Sequence, residues 1–106
     1  MSGGPSRARS DELHRRALEL LPAGLNSPVR AMRSIGRDPV YVERGEGAEL
    51  IDVDGNRYVD YVCSWGPLIL GHAHPKIVAA VEAACRRGTS YGAPCTPEIE
   101  LAEEVV

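Results

Sequence analysis

Asp54-Gly55-Asn56, set between two runs of strand-forming residues, is the feature that most constrains this chain. Gly and Asn tolerate positive φ, so the tripeptide predicts a tight reversal of direction. Ala48 to Val53 leads into it and Arg57 to Val62 leads out. Upstream, Val40 to Arg44 reads as a further strand, and Gly45-Glu46-Gly47 turns it toward the next. The prediction is a three-stranded antiparallel meander. Depending on register, Asp52 and Arg57 pair across the hairpin.

Helical patterns flank the meander. Ser10 reads as the N-cap of a helix over Asp11 to Leu21, with Leu13, Ala17, Leu20 and Leu21 on one face. Pro22 and Gly24 end it. Pro75 opens a second helix that runs to Arg87, with Ile77, Val81, Ala84 and Cys85 as its buried stripe and Gly88 just past its end. A third opens with Thr96 as N-cap and Pro97 in the first helical position. Its apolar stripe (Ile99, Ala102, Val105, Val106) meets no stop signal, so the expectation is of a longer protein. Residues 1–9 read as a disordered arm and residues 10–106 as one folded segment. The expected fold class is therefore α+β: an N-terminal helix, the meander and two further helices.

Composition bounds the core and the partners. The 106 residues hold 11 Gly and 8 Pro but no Phe, one Trp and four Tyr, so a thin core is expected. A net charge of -3 with scattered basic residues gives no electrostatic footprint for nucleic acid. No apolar run approaches a membrane span, and the first ten residues lack the apolar stretch of a secretory signal. Cys63, Cys85 and Cys95 are odd in number and widely spaced. They read as reduced thiols of a cytoplasmic protein, not as a disulfide framework or a paired metal site.

Few side chains carry chemistry. Arg30 follows Ser27 by three residues inside a long irregular stretch, 22–39, of a kind that is often functional. A guanidinium fork matches a carboxylate or phosphate with two parallel hydrogen bonds, and Ser27 offers a third. From spacing alone a plain surface arginine is the stronger alternative. Trp65, between Ser64 and Gly66-Pro67, offers a flat apolar face that suits a pocket wall or a core anchor equally. His72 and His74 flank Ala73 ahead of a helix. No neighbouring residues complete a metal set, so a helix-entry role is expected. Asp54 reads as a turn residue, and Asp52 and Asp60 as solvent-facing strand residues without the rest of a calcium loop. Lys76, the only lysine, sits off the apolar face of its helix. That solvated position does not suit imine chemistry.

Four segments together resemble a known family. Asn26 to Ala31, Asp52 to Tyr61, Ser64 to Pro67 and Gly71 to Pro75 look like the N-terminal part of the glutamate-1-semialdehyde 2,1-aminomutases. The Asp52–Tyr61 hairpin pattern is shared by the wider class III aminotransferases, which use pyridoxal 5′-phosphate (PLP). The Asn26–Ala31 loop combined with Ser64–Pro67 narrows the match, and Tyr91 to Pro94 also fits. The resemblance runs from about Ser10 to Val106.

The resemblance implies a fold-type-I PLP enzyme, with a large α/β domain and a smaller domain built from both chain ends. This segment would supply part of the small domain and the start of the large one. It further implies a cytoplasmic homodimer that moves an amino group within one molecule, converting (S)-4-amino-5-oxopentanoate to 5-aminolevulinate. By the same resemblance Ser27 and Arg30 hold the carboxylate of this small anionic amino-aldehyde, and Trp65 lines its pocket. The family's cofactor-anchoring lysine lies downstream of the matching region, so the 106 residues alone are expected to be inactive. Two alternatives stay open: another class III aminotransferase with an external amino donor, and a non-catalytic module that binds a small anion or a protein.

Overall fold

The computed structural model describes residues 4–32 and 35–106, apart from the side chain of Ala31. Met1 to Gly3, part of the expected arm, lie outside them. The chain divides into two compact units, one ending at His74 and the other spanning Pro75–Val106.

The first unit holds helix α1 (Ala8–Leu20) and strands β1 (Val42–Glu46), β2 (Glu49–Asp52) and β3 (Arg57–Val59). The strands form one antiparallel sheet in the order β1-β2-β3. Between β1 and β2 the reversal is tight: Glu46 pairs with Glu49, and Gly47 takes φ +56. Gly45 and Glu46, expected in the turn, are instead strand residues. The β2–β3 turn is wider than a two-residue hairpin. Asp52 N–H donates to Asn56 O at 3.0 Å and closes a three-residue loop, in which Gly55 adopts φ +86.

Two strand limits move for identifiable reasons. β1 starts at Val42, not Val40, because the Tyr41 amide is turned to α1 and only its carbonyl still meets the opposite strand. Its N–H donates to Ser10 Oγ at 3.4 Å and its carbonyl accepts from Val53 N–H at 2.9 Å. β3 stops at Val59, not Val62. The Asp60 carboxylate accepts from Val62 N–H at 2.8 Å and Cys63 N–H at 3.1 Å, which curls the chain out of the sheet. The expected Asp52–Arg57 pair does not form. Arg57 lies opposite Ile51, and its guanidinium instead bonds the Glu49 carboxylate.

Helix α1 begins two residues before the expected cap. Ala8 and Arg9, assigned to the arm from sequence, are helical, and Arg7 occupies the cap position without a side-chain capping bond. The capping group comes from the β2–β3 turn. Asp54 Oδ1 accepts from Arg9 N–H at 2.8 Å, and Oδ2 accepts from Ser10 N–H at 2.9 Å. A carboxylate there satisfies two otherwise orphaned donors and meets the positive end of the helix dipole. Ser10 is buried in the helix and is not a cap. The inward side of α1 is Ser10, Leu13, His14 and Ala17, while Leu20 is exposed.

The interior is thin and polar. Ile51, 3% exposed, is the one buried hydrophobic side chain among the described residues, and the largest fully buried side chains are Asp52 and Ser10. Burying one isoleucine contributes about 1.5–3 kcal/mol. Hydrogen bonding therefore carries an unusual share of the order here. Asp52 Oδ1 accepts from Asp54 N–H at 3.0 Å and Asn56 N–H at 2.8 Å. Its Oδ2 accepts from Asn56 Nδ2 and Tyr58 OH, each at 2.8 Å.

Both turn carboxylates titrate below the ordinary aspartate range. Desolvation pushes Asp52 and Asp54 up, but the donors around each outweigh it. For Asp54 those donors are chiefly the Arg9 and Ser10 amides. A depressed folded-state pKa stabilises the fold above the unfolded value of about 3.9, and this is lost as pH falls through that value toward the folded one. The stability advantage of the wild-type full-length protein over Asp54→Asn is thus expected to be constant from pH 7 to 5 and to shrink below about pH 4. Urea titrations at stepped pH measure it. A gap that widens on acidification contradicts the assignment.

The second unit holds α2 (Pro75–Cys85) and α3 (Thr96–Val105). α2 ends at Cys85 rather than Arg87, because Arg87 N–H and Gly88 N–H bond back to Ala84 O and Cys85 O in tight turns. The stripe expected to be buried is exposed at Ile77, Val81, Ala84 and Cys85. Amphipathic spacing sets which face is apolar, not what covers it. In α3 the cap falls one residue early. Cys95 is the N-cap, its N–H donates to Glu98 Oε1 at 3.1 Å, and Pro97 follows Thr96 inside the helix. Among the described residues, no helix is long and apolar enough to cross a membrane.

Candidate functional site

Ser27 and Arg30 share one turn of 3-10 helix, Pro28–Ala31. Pro28 biases the residue before it away from helical backbone, and Ser27 is extended at φ -145, ψ 126. Proline then opens the turn, which closes when Arg30 N–H donates to Ser27 O at 3.1 Å. The Ser27 hydroxyl does not cap the turn. Arg30 is exposed, and unlike Arg7, Arg15, Arg44 and Arg57 it joins no ion pair among the described residues. The turn therefore displays a hydroxyl and a guanidinium on one short, proline-fixed support.

Trp65 occupies a different and more unusual turn. Cys63, Ser64 and Trp65 take φ +49, +54 and +68, and Gly66 continues at φ +117. Left-handed backbone costs about 1–2 kcal/mol per L-residue, so three non-glycine residues in succession need outside support. Backbone bonds supply part of it: Trp65 N–H to Val62 O at 2.9 Å and Gly66 N–H to Cys63 O at 3.1 Å. The indole is 75% exposed, so it is not the core anchor that the sequence left open. Among the described residues, no hydrogen bond or ion pair joins Trp65 to Ser27 or Arg30.

Sequence reasoning missed a pair behind this turn. Asp60 Oδ2 lies 2.7 Å from His72 Nε2, with Asp60 6% and the imidazole 17% exposed. The Asp60 carboxyl is held below its usual range, first by the His72 bond and then by the Val62 amide. As carboxylate it accepts, so His72 Nε2 carries the hydrogen. His72 also exchanges backbone bonds with Gly47, at 2.8 and 3.0 Å. Placed on a strand, Asp60 reads as solvent-facing. The available signal was an aspartate two residues ahead of free amides at a strand end, the pattern of an Asx turn.

Two other candidate groups stay apart. Among the described residues, no cluster of His, Cys, Asp or Glu is arranged to hold a metal ion. Lys76 is exposed on the first turn of α2. An imine-forming lysine needs a desolvated pocket. The residues of this chain therefore do not fit the aldehyde of PLP, and no step through that cofactor is assigned to them.

Comparison with known proteins places the chain in a family. The family described as Aminotransferase class-III matches residues 32–105. The chain belongs to the class III aminotransferases. A glutamate-1-semialdehyde 2,1-aminomutase from Desulfitobacterium hafniense (strain DSM 10664 / DCB-2) is 61% identical over 98 residues, covering 92% of this chain and 23% of that protein. Among solved structures, a transaminase with PLP bound superposes with TM-score 0.84 at 41% identity, over 94% of this chain and 23% of that one. A glutamate-1-semialdehyde-aminomutase from Pseudomonas aeruginosa PAO1 gives TM-score 0.79 at 25% identity, over 92% and 21%. The chain thus spans about a quarter of the length of these class III relatives.

Proposed function

We propose that the full-length protein is a PLP-dependent glutamate-1-semialdehyde 2,1-aminomutase, a cytoplasmic homodimer that makes 5-aminolevulinate for tetrapyrrole synthesis. The observation that carries this is the 61% identity to an aminomutase across 92% of the chain. In this reading residues 10–106 supply small-domain structure and the start of the large domain. The cofactor supplies the electron sink for amine exchange. This chain's part is to bind and orient. Arg30 grips the carboxylate of the substrate through its fork, and Ser27 adds a hydroxyl bond. Trp65 walls the pocket and excludes water. Fixing the carboxylate leaves the reacting end of a small anion in one orientation, which is how remote binding contributes to rate.

A second reading has one observation in its favour. The PLP-bound transaminase structure is more similar (41%) than the aminomutase structure (25%). Supplying the full-length enzyme with cofactor and (S)-4-amino-5-oxopentanoate, and no other amine, separates them. An aminomutase forms 5-aminolevulinate without a donor. Strict dependence on an added amino donor means the protein is an ordinary transaminase. The alternative of a non-catalytic binding module has no observation in its favour.

A further inference from the structure

We infer that His72 is a positioning residue: acting through Asp60, it holds the left-handed turn that presents Trp65 to substrate. The inference rests on Trp65 being a pocket wall, as proposed above.

The turn at Cys63, Ser64, Trp65 and Gly66 is a strained conformation that persists only where its surroundings over-determine it. Its entrance is pinned from one side chain. Asp60 Oδ1 takes both Val62 N–H and Cys63 N–H, at 2.8 and 3.1 Å. The other oxygen of the same carboxylate is held by His72 Nε2 at 2.7 Å. His72 is fixed in turn. Its backbone is paired with Gly47, and its ring packs on Gly45 so closely that an added Cβ there would come within 2.5 Å of it. One continuous series of contacts thus links the β1–β2 hairpin, His72, Asp60 and the strained turn. At its end stands an exposed indole that the core does not use. A carboxylate bonded only to two amides can swing. Clamped by an imidazole it cannot, and the turn keeps one shape.

The test uses the full-length holoenzyme. His72→Ala is expected to raise KM for the amino-aldehyde about tenfold or more while kcat and cofactor absorbance change far less. His72→Gln, which keeps an N–H donor toward Asp60, should recover most of the loss. Calorimetric affinity for 4-oxopentanoate, a carboxylate without the amine, should fall in parallel with KM. Adding His72→Ala to Trp65→Ala should then change KM less than about twofold, since no indole is left to position. Multiplying effects in the double variant, or a Gln variant no better than Ala, would overturn the inference. If Trp65→Ala alone leaves KM unchanged, the pocket role of Trp65 is what fails, and this inference falls with it. Should His72→Ala not accumulate as folded protein, Asp60→Asn, which keeps an acceptor but loses the charge, is judged by the same criteria.

Discussion

Replacing Arg30 by alanine in the full-length protein is expected to raise KM for the anionic amino-aldehyde roughly 10- to 150-fold. The range follows from the loss of a charge-assisted hydrogen bond worth about 1.5–3 kcal/mol. Cofactor loading, read from its visible absorbance, should stay as in the wild type. Among the described residues, no side-chain hydrogen bond ties the Arg30 guanidinium to the rest of the fold. It is exposed, and among the described residues it joins no ion pair. Its removal therefore leaves no buried charge without a partner, and the damage should be confined to substrate. Arg30→Lys should recover only part of the affinity, because an ammonium keeps the charge but not the two-pronged geometry. Equal loss of substrate use and cofactor loading would reject the carboxylate-clamp role.

The largest effect on stability is expected at Asp52. Its carboxylate is fully buried and accepts four hydrogen bonds, from the Asp54 and Asn56 amides, the Asn56 side chain and the Tyr58 hydroxyl. Alanine at this position leaves those donors facing a void. Each buried unsatisfied polar group costs about 1–3 kcal/mol. Some donors will reach water after local rearrangement, so a total loss of about 3–5 kcal/mol is expected. Asp52→Asn keeps one good acceptor and should lose less. Because Asp54 caps α1 from the same turn, the damage should spread. Amide exchange should rise at Arg9 and Ser10 as well as at residues 52–58. Urea unfolding of the full-length protein with peptide-resolved exchange measures both. A variant as stable as wild type, or one whose exchange rises only in the turn, would show that the network is not central to the unit.

How far the sequence discloses this molecule depends on the range of the interaction involved. The meander was legible because Asp54-Gly55-Asn56 is a local signal, and positive φ at Gly55 meets it directly. The three helices were legible from apolar spacing and from Pro75 and Pro97. What local rules miss is any cap or clasp supplied from far along the chain. Ser10 looked like a cap because it precedes a helical pattern, yet the capping oxygens belong to Asp54, 44 residues away. Asp52 and Asp60, placed on strands, read as solvent-facing. Both are instead held by donors that only the folded turn brings near. Arg57 bonds Glu49 and not Asp52 because it lies opposite Ile51, on the face of β2 that Ile51 shares with Glu49, while Asp52 alternates to the other face.

The candidate site divides along the same line. Ser27 and Arg30 sit three residues apart with Pro28 between them, so their place on one short turn was readable, whereas a shared ligand was not. Trp65 was readable as a pocket wall or a core residue, and its exposure among the described residues speaks against the second. Three consecutive left-handed residues leave no trace in composition. The sequence around Cys63 holds a glycine only at Gly66, so the strain could not be anticipated, and of the Asp60–His72 clasp only the Asx turn at Asp60 left a local signal.

The most direct measurement is a crystal structure of the full-length enzyme with cofactor and a substrate-like carboxylate bound. The account predicts two parallel N–H···O contacts of about 2.7–2.9 Å between the Arg30 guanidinium and that carboxylate, with Trp65 against the same ligand. A guanidinium directed into bulk water, with the carboxylate held by other residues, would contradict it.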